Sequence, residues 1–295
     1  LKNSNELRQR IANSLPFYYG WVIAADTATV SLTTRTVMAV ATLSVFVVPM
    51  TEHLGWSRGL FSGAVSLGGL CAVAISPFVG RSIDKYGTGI LIAGSSLITG
   101  ICALGLALVS TPWTFYILYI PGRMIFSGPL ELGLPTAISN WFIRRRPLGL
   151  AVDTIAKGAG LAIIPLTAQM IIGEWGWRTA WTFLGILTLT VGVLPSLLLM
   201  ARRPEDMGLE PDPTTRYNPS TDHKSDSVAE ALSNIETNYT LVQALKTKSF
   251  WILAVFTAAG FMVQGGVSLH QVAHYINQGL PGPLAALSAG TYAAA

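Results

Sequence analysis

Six ionisable side chains stand inside long apolar runs: Asp26, Arg35, Arg123, Glu131, Asp153 and Lys157. His270 stands in a later run. A charge at the centre of a lipid-embedded helix costs about 2.5–3.5 kcal/mol on insertion scales, so each of these needs a partner or a watery cavity. Arg35 shares its run with Asp26 and a series of Thr and Ser residues from Thr27 to Thr36. That run is too polar to face lipid and is expected to line a central cavity. A guanidinium held in such a cavity binds both oxygens of a carboxylate. Two roles fit Arg35, contact with an anionic substrate or a structural ion pair. Asp26 lies roughly 180° away around an ideal helix, so the two cannot pair within it.

Arg123 has a similar pair of readings: a substrate or coupling residue, or a structural partner of Glu131 or Asp26. Glu131 falls on roughly the same side of that helix, and Pro121, Pro129 and Pro135 predict a bend with freed carbonyls. Asp153 and Lys157 stand at i, i+4 and are expected to neutralise each other as a structural ion pair. Gly158 and Gly160 beside them permit close packing on a neighbouring helix. His270, His274 and Asn277 share one face. Two His at this spacing are too few for a zinc site, so no metal is expected. A polar stripe lining a cavity fits them, and so does proton transfer by His270, which titrates near neutral pH. Cys71 and Cys102 read as small core hydrophobes.

The elements that must hold these groups are membrane helices. A bilayer core of ~30 Å needs about 20 helical residues. Runs at roughly 18–48, 57–79, 90–110, 113–141, 148–172 and 178–200 meet that length, a seventh covers about 250–276, and an eighth begins near Pro283. Helices satisfy their own backbone groups in lipid, and the period-two alternation of barrel strands is missing. The expected fold is an all-α membrane protein with four segments: an N-terminal tail at 1–17, a six-helix transmembrane bundle at 18–200, a linker at 201–249 and an incomplete second bundle from 250 to 295. The linker is rich in Pro, Asp, Ser and Thr and reads as partly disordered, with a short amphipathic helix near Leu241–Lys248. The chain begins at Leu1 and stops inside an apolar run, so it reads as an N-terminal fragment of a longer protein.

Charge orients this layout. Of 19 Lys and Arg residues, 14 fall on one side of the runs and only Arg58 and Arg178 on the other. This asymmetry is the positive-inside signature and places the N-terminus in the cytoplasm, with a bacterial inner membrane as the expected location. Trp56, Trp113, Trp175 and Trp177 mark the outer edges, and Trp21, Trp141 and Trp251 the inner edges, as aromatic belts.

Only 12% of residues are charged, against about 25% in soluble domains. The net charge of +4 follows from the topology, and no basic stripe with stacking aromatics suggests nucleic acid. No HExxH, GxSxG or nucleotide-binding glycine loop occurs, so neither an enzyme nor an intrinsic ATP-driven pump is expected. No cofactor is expected.

The motifs narrow the class. Gly80-Arg-Ser-Ile-Asp84-Lys85-Tyr-Gly87 follows the second run and resembles the G-x-x-x-D-R-x-G-R-R signature of the major facilitator superfamily, with Thr88 and Gly89 in place of the last basic pair. The resemblance makes Gly80, Asp84, Lys85 and Gly87 a conformational gate, which in the family holds the two bundles together in one transport state. Pro49 to Arg58, Asn140-Trp141-Phe142 to Gly149, Gly176-Trp177-Arg178, Arg202 to Asp212, and Ala244 to Trp251 resemble motifs of the oxalate/formate antiporter-like and monocarboxylate-porter-like members. The Gly-Pro-x-x-Gly-Gly motif of multidrug antiporters is missing from the fifth run, where only Pro165 remains.

This resemblance implies a secondary active transporter that works by alternating access around a midplane site. The expected cargo is a small organic anion, such as a monocarboxylate or dicarboxylate, moved by proton symport or anion exchange. The expected partners are that substrate, a proton or counter-anion, and the lipid bilayer, with the protein acting as a monomer. A transporter of another small solute on the same fold is the alternative, as is a non-transporting membrane receptor or sensor.

Overall fold

A computed structural model describes residues 2–211 and 241–260, together with 263 and 278–279. His270 and the start of the eighth run lie outside the described residues. All described regular elements are helical. The chain divides into two compact units, Leu1–Thr214 and Thr215–Ala295.

In the first unit, α1 (Lys2–Ser14) precedes a first span built from three pieces: α2 (Gly20–Leu32), α3 (Thr34–Val37) and α4 (Val40–Leu54). The second span is α5 (Arg58–Tyr86) and the third α6 (Thr88–Ala107). The fourth joins α7 (Pro112–Ile125) through a π turn (Phe126–Leu130) to α8 (Glu131–Trp141). Then α9 (Arg146–Leu187) continues through a second π turn (Thr188–Val193) into α10 (Leu194–Leu199). Gly176 breaks α9 with φ 82°, so this stretch is two limbs rather than one. Four continuous stretches are long and apolar enough to cross a membrane: Gly20–Leu54, Arg58–Tyr86, Thr88–Ala107 and Arg146–Leu199. In the second unit, α11 (Leu241–Leu245) and α12 (Lys248–Gly260) are helical.

The breaks in the first span have a chemical cause. Threonine hydroxyls bond back to their own helix: Thr29 to the Ala25 carbonyl at 2.7 Å, Thr33 to Thr29 at 2.8 Å and Thr36 to Leu32 at 2.6 Å. Such back-bonding competes with the helix ladder and bends it. Met38 leaves the helical region and Ala39 is extended. The Thr36 carbonyl freed there accepts from Thr42 Oγ1 at 2.7 Å and from the Ala39 N–H at 3.1 Å. Part of the polarity of this span therefore serves its own backbone.

Two apolar clusters fill the unit. One contains Phe46, Phe61, Phe115, Tyr119 and Trp181, with Phe46 stacked on Trp181 at 4.1 Å. The other contains Tyr19, Ile92, Ile138, Trp141 and Met200. In the first span, Val30 belongs to the second cluster and Val37 to the first. Arg35 sits at the seam between them.

The second cluster lies at the basic end of the unit, where Arg8, Lys85, Arg146 and Arg202 gather. Arg8 Nε and Nη2 donate to the carbonyls of Leu198 at 3.0 Å and Leu197 at 2.8 Å, so α1 caps the C-terminus of α10. Trp141 is fully buried there, and its indole N–H donates to the Ala201 carbonyl at 3.3 Å. It is a core residue rather than an interfacial anchor. Trp177 is likewise buried, with its indole N–H on His53 Nδ1 at 3.1 Å. Trp113, Trp175 and Trp251 are exposed as anchors should be. Residues 201–211, the start of the expected partly disordered linker, are ordered: Glu205–Met207 form a short 3₁₀ turn, Met207 is buried and Gly208 closes the turn at φ 69°.

Candidate substrate site and gate

Three spans bring four charges together. Arg35 of α3 pairs with Glu131 at the start of α8, and its other nitrogen lies 3.6 Å from Asp153 Oδ2 on α9. Lys157, one turn beyond Asp153, reaches Glu131 Oε1 at 3.3 Å. Ser31 Oγ donates to Asp153 Oδ1. The Arg35 and Asp153 side chains are 3% and 5% exposed, whereas Glu131 and Lys157 are 41% and 30% exposed. The cluster thus has a buried half and a reachable half.

This corrects one expectation. Lys157 pairs with Glu131 rather than with Asp153. An i, i+4 pair on a helix surface is worth only about 0.2–0.5 kcal/mol. A buried carboxylate needs several donors, and Asp153 finds them in Ser31 and Arg35 across the helix interface.

Close packing makes the cluster possible. A Cβ at Gly160 would stand 2.3 Å from the Leu32 carbonyl oxygen and 2.8 Å from Leu32 Cα, so α9 rests directly on the backbone of the first span. Gly158 has no such neighbour. The π turn, with Pro129 inside it, ends immediately before Glu131 and sets the direction in which α8 presents it.

The other two intramembrane charges stand apart. Arg123 Nη1 donates at 3.4 Å to the Met38 carbonyl, at the break in the first span. Its guanidinium lies 4.5 Å over the Phe126 ring, and its stem packs on Gly68. No described acid lies within ion-pair distance of it, so neither expected partner, Glu131 or Asp26, holds it. Asp26 is 4% exposed, with Ser196 of α10 beside it and both carboxylate oxygens lacking a well-formed hydrogen bond.

The gate motif, expected to follow the second span, is instead part of its helix: α5 runs on to Tyr86, so Gly80, Asp84 and Lys85 occupy its last turns. Gly87 ends the helix at φ 83°. A Cβ at Gly87 would meet Arg202 Cγ at 2.8 Å, and Arg202 Nη2 donates to the Asp84 carbonyl. Arg203 lines a small polar cleft with Asp84, Thr136 and Asn140. Arg202 and Arg203 therefore bring basic charge to the place where Thr88 and Gly89 interrupt the motif. The sequence places both arginines in a motif after the sixth run but does not link them to the gate, because the Arg202–Asp84 contact spans 118 positions and leaves no local signal.

An all-helical unit with interrupted spans and an ionic cluster across three of them defines a multi-pass membrane protein with an internal polar site. The Major Facilitator Superfamily model matches residues 30–295, and the chain belongs to that family of transporters. It is similar to the uncharacterized MFS-type transporter YcxA of Bacillus subtilis, 27% identical over 160 residues, which are 54% of this chain and 39% of the relative. It is similar to monocarboxylate transporter 14 of Mus musculus, 24% identical over 156 residues, covering 53% and 30%. The riboflavin transporter RibJ of Trypanosoma brucei brucei is 27% identical over 149 residues, covering 48% and 26%. The matched stretch is thus well under half the length of each of these relatives.

Proposed function

We propose that the protein is a secondary active transporter of a small organic anion, a monocarboxylate or dicarboxylate, moved by proton symport or anion exchange. One observation carries the reading. A carboxylate of the protein itself, Glu131, is held between Arg35 and Lys157 and is reachable from outside. A substrate carboxylate can take the same place when Glu131 is protonated or pushed aside. The guanidinium then offers its fork and the ammonium a point charge, the usual ligands for such an anion. Arg123 is a second candidate, held at the break in the first span where a small rearrangement would release it. Asp26 and His270 remain coupling candidates. Gly80, Asp84, Lys85 and Gly87, completed by Arg202, form the proposed gate. The similarity to a monocarboxylate transporter supports the choice of cargo. The charge asymmetry supports a cytoplasmic N-terminus, and a bacterial inner membrane is the location proposed with it.

The test is uptake of labelled mono- and dicarboxylates into proteoliposomes holding the full-length protein, driven by an inward proton gradient or by preloaded anion. Saturable uptake abolished by Arg35→Gln is expected. Carboxylate binding without flux under either gradient would favour a receptor, and flux confined to neutral or cationic solutes would favour another cargo.

A further inference from the structure

Two cavities of the first unit meet at shared walls. A pocket of about 350 Å³ at the basic end is lined by Arg8, Lys85 and Arg202, with Asp206 as its acid. A groove of about 340 Å³ runs from there along α5 and α6 to the π turn of the fourth span, past Phe78, Gly94, Ile98 and Pro129. Tyr86 and Ile90 belong to both cavities, and both are more than half exposed. The groove is almost wholly apolar, whereas the pocket carries three cations against one acid. From Ile90 to Ile98 a helix rises about 12 Å, close to the depth of one leaflet of a ~30 Å core.

We propose that this composite site binds one anionic glycerophospholipid of the leaflet at the basic end. Its phosphate lies in the Arg8–Lys85–Arg202 pocket and an acyl chain lies in the groove. The cations are held in place beforehand. Arg8 is fixed on the Leu197 and Leu198 carbonyls, Arg202 on the Asp84 carbonyl and Gly87, and the Lys85 ammonium lies 5.0 Å over the Tyr86 ring. Basic pockets between transmembrane helices suit anionic headgroups, and each nearby cation adds to the attraction. The inference uses none of the cluster residues and so stands apart from the proposed cargo, while Lys85 and Arg202 are shared with the proposed gate.

Native mass spectrometry of the delipidated full-length protein tests it, with phosphatidylglycerol and phosphatidylcholine of equal chain length as probes. The expected result is one retained phosphatidylglycerol, preferred about tenfold over phosphatidylcholine. Arg8→Gln with Lys85→Gln should erase the preference. Gly94→Leu should weaken both lipids severalfold without unfolding the protein, because a Cβ at Gly94 meets nothing within 4 Å. Circular dichroism of each variant checks the fold, and the Gly94 variant decides the matter even if the charge variant fails to fold. Equal retention of the two lipids by the parent would overturn the proposal. So would Gly94→Leu binding phosphatidylglycerol as the parent does, or displacement of the lipid by millimolar inorganic phosphate, which would mark a free-anion site. A dimer that phosphatidylglycerol does not disperse would show that a second copy fills the groove.

Discussion

At the residue scale, Glu131 has the most to explain. It neutralises two cations, yet it is the most exposed member of the cluster. Replacing it with Gln leaves Arg35 still paired with Asp153 and frees Lys157. If its protonation couples anion and proton, Glu131→Gln should retain anion exchange while losing uptake driven by a proton gradient. Counterflow and gradient-driven uptake in the same proteoliposomes separate the two, and equal retention of both would remove Glu131 from the coupling step. The six intramembrane charges were legible in the sequence because lipid makes any charge conspicuous. Their pairing was not. Helical spacing tells which face of its own helix a residue occupies. It does not tell which helix lies opposite. Local spacing thus favoured Asp153 with Lys157, while tertiary packing placed Glu131, Ser31 and Arg35 between them.

At the scale of elements, the contact of α9 with the first span governs whether the cluster can assemble. Gly160→Ala puts a methyl group 2.3 Å from a backbone carbonyl oxygen, where no flexible side chain can yield. A destabilisation of about 1–3 kcal/mol is expected, as for overpacked cores. Gly158→Ala, on the same helix with open space at its Cβ, should be neutral or slightly stabilising through helix propensity. Thermal unfolding followed by circular dichroism compares the two, and equal effects would refute the close-contact account. Sequence reading flagged both glycines, since small residues permit close approach, but it gave no means of choosing between them. The π turn of the fourth span contains Pro129, one of the prolines that mark this span in the sequence. The break in the first span was not legible, because a threonine in a sequence does not reveal whether its hydroxyl bonds back to its own helix.

At the scale of the whole molecule, the layout of apolar runs was the most legible feature, because bilayer thickness dictates helix length. What the runs hid was how their ends close. Arg8, Trp141 and Arg202 each bond to backbone far along the chain, and they join α1, α5, α8 and the exit from α10 into one cap. The balance of charge within the site has a consequence for energetics across the membrane. Arg35, Lys157, Glu131 and Asp153 sum to zero. Admitting a monocarboxylate alone would leave one uncompensated negative charge in a low-dielectric interior, which is costly unless it is matched. A proton taken up on Glu131 matches it within the site, and in an exchange cycle the departing monoanion balances the charge of the entering one. Either cycle carries no net charge. Transport of a monocarboxylate should therefore be electroneutral, with rates unchanged when a potassium diffusion potential is imposed with valinomycin. A membrane voltage, which would drive a charged carrier at about 2.3 kcal/mol per 100 mV for each elementary charge, should leave this one indifferent.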